Sequence, residues 1–133
     1  MKIENIKFKA KRLDNQEWIC GYFYEENGNT YIIENRQKES VLNRNITYEV
    51  DPSTVCQFTG LKDCDGASIY EHDLLRSEKT DSTFEVVWNQ GNSSFSLINT
   101  EVPVLYPTNT MGRMLHNRRL KVVGNKFDKI SSL

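Results

Sequence analysis

Only two alanines, Ala10 and Ala67, occur in 133 residues, while Val, Ile, Thr, Tyr, Phe and Trp recur throughout. A chain so poor in the best helix former and so rich in β-branched and aromatic residues is expected to be mainly β. Neither sign of charge is in excess, since 17 Lys and Arg stand against 18 Asp and Glu for a net charge of -1. That balance excludes a disordered polyelectrolyte and a protein that coats DNA by bulk charge. No apolar run reaches the roughly 18 to 20 residues of a membrane helix, and Met1-Lys2-Ile3-Glu4-Asn5 has no secretory apolar segment, so a soluble cytoplasmic protein is expected. The three cysteines, Cys20, Cys56 and Cys64, are odd in number and form no CxxC pair, so free thiols are expected. No Walker loop or dinucleotide fingerprint is present, and no cofactor is expected. The length suits one domain that buries about two-thirds of its unfolded surface.

What is present reads as strands and turns. Ile6, Phe8 and Ala10 alternate with Lys7, Lys9 and Lys11, which predicts a strand whose lysine face meets water. Residues 18–24 and 30–33 flank Asn27-Gly28, a pair suited to the positive φ of a tight hairpin. Residues 34–44 are polar and read as loop, after which Ile46, Tyr48 and Val50 alternate as a strand stopped by Pro52. Val55 and Phe58 lead into a turn at 62–66, with Gly66 in a left-handed conformation, and 68–70 resumes an extended segment. After a polar tip at 77–82, residues 84–88 and 95–98 form a hairpin around 89–92. Pro103 and Pro107 bracket an edge strand at 104–106. A short helix is predicted over 110–118, with Met111, Met114 and Leu115 on one face, Thr110 as N-cap and Gly112 as a weak point. Leu120 to Val123 read as a last strand ended by Gly124-Asn125, with Phe127 and Ile130 packing the tail back.

Four patterns in the chain could carry chemistry, and each also has a purely structural reading. Asp63-Cys64-Asp65-Gly66 suggests calcium, but aligning Gly66 with the sixth EF-hand position puts Leu61 and His72 where carboxylates belong, so a β-turn is expected. Cys56, Cys64 and His72, even with Cys20 or His116 added, lack the close ligand pairs of a structural zinc site, and no metal is expected. In Tyr70-Glu71-His72-Asp73 the paired carboxylates Glu71 and Asp73 could do acid–base work, and in an extended segment they would share one face, yet no third group and no glycine-rich oxyanion or phosphate cradle accompanies the pair. A non-enzymatic protein is expected. Arg113, Arg118, Arg119 and Lys121 form the most basic stretch, 113–121, and residues 7–12 a second; together they are candidate phosphate contacts. The alternative is that edge lysines deter aggregation.

Residues 54–75 read Thr-Val-Cys-Gln-Phe-Thr-Gly-Leu-Lys-Asp-Cys-Asp-Gly-Ala-Ser-Ile-Tyr-Glu-His-Asp-Leu-Leu. This stretch resembles the signature of the YopX family of phage and prophage proteins. Ile6-Lys7-Phe8-Lys9-Ala10 with Trp18, and Val122-Val123-Gly124-Asn125 with Leu133, are similar to its opening and closing segments. Cys56 and His72 stand where the family usually has glycine. The resemblance implies an SH3-like barrel or roll over 51–133 behind an N-terminal β region at 1–50, and implies no established activity. Within the motif, Phe58, Leu61, Ile69, Tyr70, Leu74 and Leu75 are expected in the core. Gln57, Thr59, Lys62, Asp63, Glu71 and Asp73 either lock the turn locally or line a recognition surface.

Three functional classes follow. The leading expectation is a non-enzymatic binding module that docks to a protein partner or to copies of itself. The alternative is a nucleic-acid binder using 7–12 and 113–121, and the last is an enzyme built on Glu71, His72 and Asp73.

Overall fold

The computed structural model describes residues 2–37, 39–102, 105, 106 and 108–128, the side chains of 108–110 excepted. The chain is mainly β and antiparallel: β1 (Phe8–Lys11), β2 (Trp18–Glu26), β3 (Asn29–Glu34), β4 (Ile46–Val50), β5 (Cys56–Lys62), β6 (Ser68–Tyr70), β7 (Asp73–Ser77), β8 (Thr83–Asn89), β9 (Ser94–Asn99), β10 (Leu105–Tyr106), α1 (Thr108–Asn117) and β11 (Leu120–Asn125). Packing divides it into two compact units, Met1–Phe58 and Thr59–Leu133, so the chain passes from one to the other within β5.

In the N-terminal unit the strand order is β4-β3-β2-β1-β5. Asn27 at φ 53 and Gly28 at φ 82 turn β2 into β3, the double positive φ that a two-residue hairpin requires. Register places Ala10 opposite Ile19 and Phe23 opposite Ile32. That face holds a small cluster of Ala10, Ile32 and Val50, against which Phe8, Ile19 and Val55 pack. After β4, Asp51 caps a single 3-10 turn at Pro52–Thr54 by accepting the Ser53 N–H. Thr54 Oγ1 then accepts the Lys11 N–H at 2.9 Å, which ties the turn back to β1. The expectation that the lysine face of β1 meets water is overturned: Lys11 is 5% exposed and Lys7 and Lys9 are half-buried. Their ammonium groups lie over aromatic rings, Lys7 over Phe58 at 4.4 Å and Lys9 over Trp18 at 4.7 Å. Lysine stems are apolar enough to cover such rings while the charge faces the π cloud.

In the C-terminal unit β6 lies beside β5, and a five-stranded sheet runs β10-β9-β8-β7-β11. Among the described residues that order is open at both ends and no strand closes it into a barrel. The core gathers Ile69, Leu75, Phe84, Val86, Leu97 and Leu120 with Met111, Met114 and Leu115 of α1, the face read from the i, i+3, i+4 spacing. Of the other expected core positions, Phe58 and Tyr70 are buried, while Leu61 and Leu74 are half-buried. The helix starts at Thr108, two residues before the expected cap Thr110. Pro103, Val104, Pro107, Ile130 and Leu133 lie outside the described residues, but Leu105 and Tyr106 form an edge strand on β9 as expected.

Two strands differ from the sequence expectation. β7 was not anticipated, because two of its three inward positions are polar: Asp73 and Ser77 are buried beside Leu75, which erases the apolar period. β11 does not stop at Gly124 but continues through Asn125, paired with Asp73, after an irregularity between Val122 and Gly124.

Candidate functional site

The turn at 62–66 is organised by one carboxylate. Asp63 Oδ1 accepts the N–H groups of Asp65 and Ala67, each at 2.9 Å, and Oδ2 accepts the Val122 N–H of β11 at 2.9 Å. Asp63 also donates its own N–H to the Ala67 carbonyl, and Gly66 at φ 87 closes the reversal. The sheet edge at β11 is thereby capped by a turn whose side chain stands in for a neighbouring strand. Burial opposes the charged form of Asp63 most strongly. The Val122, Ala67 and Asp65 N–H groups, helped by the Lys121 charge, together outweigh it and hold the carboxyl below the ordinary aspartate value. Both Asp63 oxygens are thus committed to backbone rather than to a cation, and among the described residues no three His, Cys, Asp or Glu side chains group as a metal site requires.

The second constellation is the reversal at 71–72. His72 has φ 68, the left-handed backbone that the resemblance implied for this position. Cys56 differs: it is a buried strand residue whose Sγ donates to the Thr54 carbonyl. His72 donates its N–H to the Val86 carbonyl at 2.7 Å and accepts the Lys126 N–H at its own carbonyl. Its ring meets Glu85 through Nδ1 at 3.0 Å, lies 3.5 Å from Glu71 through Nε2, and packs edge-on against Phe127. Asp73 turns away into the core. It accepts the Tyr70 N–H at 2.8 Å and the Asn125 side-chain amide at 2.8 Å. The turn breaks the strand alternation, so Glu71 and Asp73 do not share a face; Glu85, 13 residues away, is the second carboxylate at the imidazole.

The basic stretch is largely paired. Glu78 receives Arg119 Nε at 3.0 Å and also Lys121 Nζ, and Asp65 lies 3.1 Å from Lys121 Nζ. Hydrogen bonds to Glu78 and then Asp65 raise the Lys121 value above that of an ordinary lysine, and Glu78 does the same for Arg119. Arg118 is half-buried with its guanidinium 5.7 Å from the Tyr106 ring and 5.9 Å from Phe84, while Arg113 is exposed on α1. Glu78 carried no local signal, since its partner Arg119 is 41 residues away.

An open cleft of about 410 Å³ lies between the motif turn and α1. Leu61 and Leu115 supply apolar lining, Lys62, His116 and Arg119 supply cationic or basic groups, and Cys64 adds an exposed thiol. The cleft unites Lys62 and Asp63 of one expected set with Arg119 of the other; Gln57, Thr59, Glu71, Asp73, Arg113, Arg118 and Lys121 do not line it. Gln57 is exposed on β5, and Thr59 donates its hydroxyl to the Ile69 carbonyl at 2.8 Å. In the sequence Cys64 and His116 are members of a rejected zinc-ligand set, and nothing local marks them as neighbours of one cleft. No curated protein matches the chain. The family model described as YopX protein matches residues 3–130.

Proposed function

The chain belongs to the YopX family, and from that premise we propose that it is a non-enzymatic, phage- or prophage-encoded module that binds a protein partner through the cleft beside the motif turn. The observation that carries this reading is the lining: two leucines between Lys62, His116 and Arg119 suit a segment that offers an apolar side chain flanked by carboxylates. Glu78 orients the Arg119 guanidinium through Nε, which directs its remaining donors. The acid–base reading of 71–73 loses support because both Asp73 oxygens are engaged within the core. Phosphate binding by 113–121 is weakened in the same way by the pairing of Arg119 and Lys121. An SH3-like roll over 51–133 is part of the proposal, supported by the five-stranded antiparallel sheet β10-β9-β8-β7-β11, the β5–β6 pair and the helix α1 among the described residues of that stretch. Cysteines held as thiols fit a reducing cytoplasm, and no helix among the described residues is long and apolar enough to cross a membrane.

The test is affinity capture from a host lysate, with and without nuclease, using the native chain and Lys62→Glu. A protein retained after nuclease and lost with Lys62→Glu is the expected result. Capture that disappears with nuclease, or that Lys62→Glu leaves unchanged, overturns the reading.

A further inference from the structure

The N-terminal unit has a sheet face that the cleft does not involve. Strand alternation on β2 sends Trp18, Cys20, Tyr22 and Tyr24 to the side opposite the Ala10, Ile32 and Val50 cluster. Register adds Tyr31 across from Tyr24 and Lys9 across from Cys20, and Lys7 follows two residues before Lys9 on the same side. Tyr22 is 36% exposed, Cys20 is exposed, and Trp18, Tyr24 and Tyr31 are half-exposed. The Tyr24 and Tyr31 rings already stack at 5.0 Å, and the Lys9 ammonium stands 4.7 Å from the Trp18 ring. A row of rings with a row of lysines along one side is therefore built into the pleat.

We infer that this face of β1, β2 and β3 binds single-stranded nucleic acid, with bases stacking on Trp18, Tyr22 and the Tyr24–Tyr31 pair and phosphates running along Lys7 and Lys9. Alternate residues on a strand stand about 6.7 Å apart, a stride that an extended single strand can follow base by base. Every base has a π face, so such a row needs no particular sequence. Glu49 stands opposite Tyr31 across the β3–β4 ladder and places negative charge at the far side, which sets the phosphate path on the lysine side. A duplex hides its base faces and fits the lysines alone. An acidic polypeptide likewise satisfies the lysines but has no planar groups for the rings.

The experiment is an anisotropy titration of the full chain with a labelled oligothymidine of about twelve nucleotides, longer than the roughly four or five bases that the nine residues of β2 pass at that stride, so that the face is fully covered. The single strand is expected to bind more tightly than a duplex of equal length or polyglutamate. Tyr22→Ala should weaken binding about tenfold, whereas Tyr22→Phe, which keeps the ring, should bind as the native chain does. The double variant Lys7→Glu/Lys9→Glu should weaken it further and make the logarithmic salt slope shallower by about 1.4, the share of two phosphate contacts on a single strand. Absence of binding at low salt overturns the inference. So does equal binding of duplex or polyglutamate, or a Tyr22→Ala affinity equal to that of the native chain.

Discussion

The two units bury very different amounts of apolar chain. Among the described residues the C-terminal unit has nine buried hydrophobics in one cluster, including three from α1, whereas the N-terminal cluster has Ala10, Ile32 and Val50. The helix makes the difference, because it gives one sheet face a second layer to pack against. The N-terminal sheet compensates with ring contacts on both faces: Phe8 against Phe23 at 4.8 Å on one, Tyr24 on Tyr31 and lysines over Trp18 and Phe58 on the other. A unit built that way keeps aromatic surface within reach of ligands. One with a closed core offers ligands only its turns and its cleft.

That contrast can be broken most directly at Phe84, fully buried in the larger cluster. Phe84→Ala should cost about 3 to 5 kcal/mol, read by urea unfolding. Each unit contains one tryptophan, Trp18 in β2 and Trp88 in β8, so single-tryptophan versions report them separately. The loss should appear in the Trp88 transition first. Equal shifts in both would show that the units unfold as one cooperative structure and that the division in packing has no energetic counterpart.

A smaller effect is expected at the capped edge of β11. Asp63→Asn sets a side-chain NH2 among the N–H groups of Asp65, Ala67 and Val122, which should cost about 2 kcal/mol at neutral pH. Because the folded Asp63 carboxyl titrates below its unfolded value of 3.8, its stabilisation is fully present above that pH and lost as pH falls through the lower folded value. The difference between native chain and Asp63→Asn should therefore shrink only in acid, below about pH 4. A gap that is constant from neutral to acid pH would place the effect of Asp63 in packing instead of charge. The smallest effect belongs to the N-terminal unit: Lys9→Ala should cost about 0.5 to 1 kcal/mol through the lost cation–ring contact and covered ring surface. A loss as large as that of Phe84→Ala would mean that the lysine layer carries the unit as a true core does.

Legibility in the sequence followed the range of the interaction. The Asn27-Gly28 hairpin, the Gly66 turn and the buried Met111, Met114 and Leu115 all come from signals within a few residues, and all were anticipated. β7 escaped because Asp73 and Ser77 are acceptable inward only with their distant partners, Asn125 for one and the Arg118 carbonyl for the other. The cleft was half visible. Lys62, Asp63 and Arg119 stand out in the sequence, but in separate sets, since no periodicity links a turn near residue 63 to a helix near residue 115.

Strand, turn and helix assignments rest on steric limits of φ and ψ and on alternate burial, both of which are written into neighbouring residues. The amino-acid order alone therefore determined a mainly antiparallel chain, its principal reversals and the apolar face of its helix. Tertiary structure decided which charges turn inward and which stay available: Lys11 buried, Asp63 joined to Val122 across 59 residues, Arg119 and Lys121 held by Glu78. A carboxylate or ammonium is equally at home in water or against a complementary group, and only closure of the chain supplies that group.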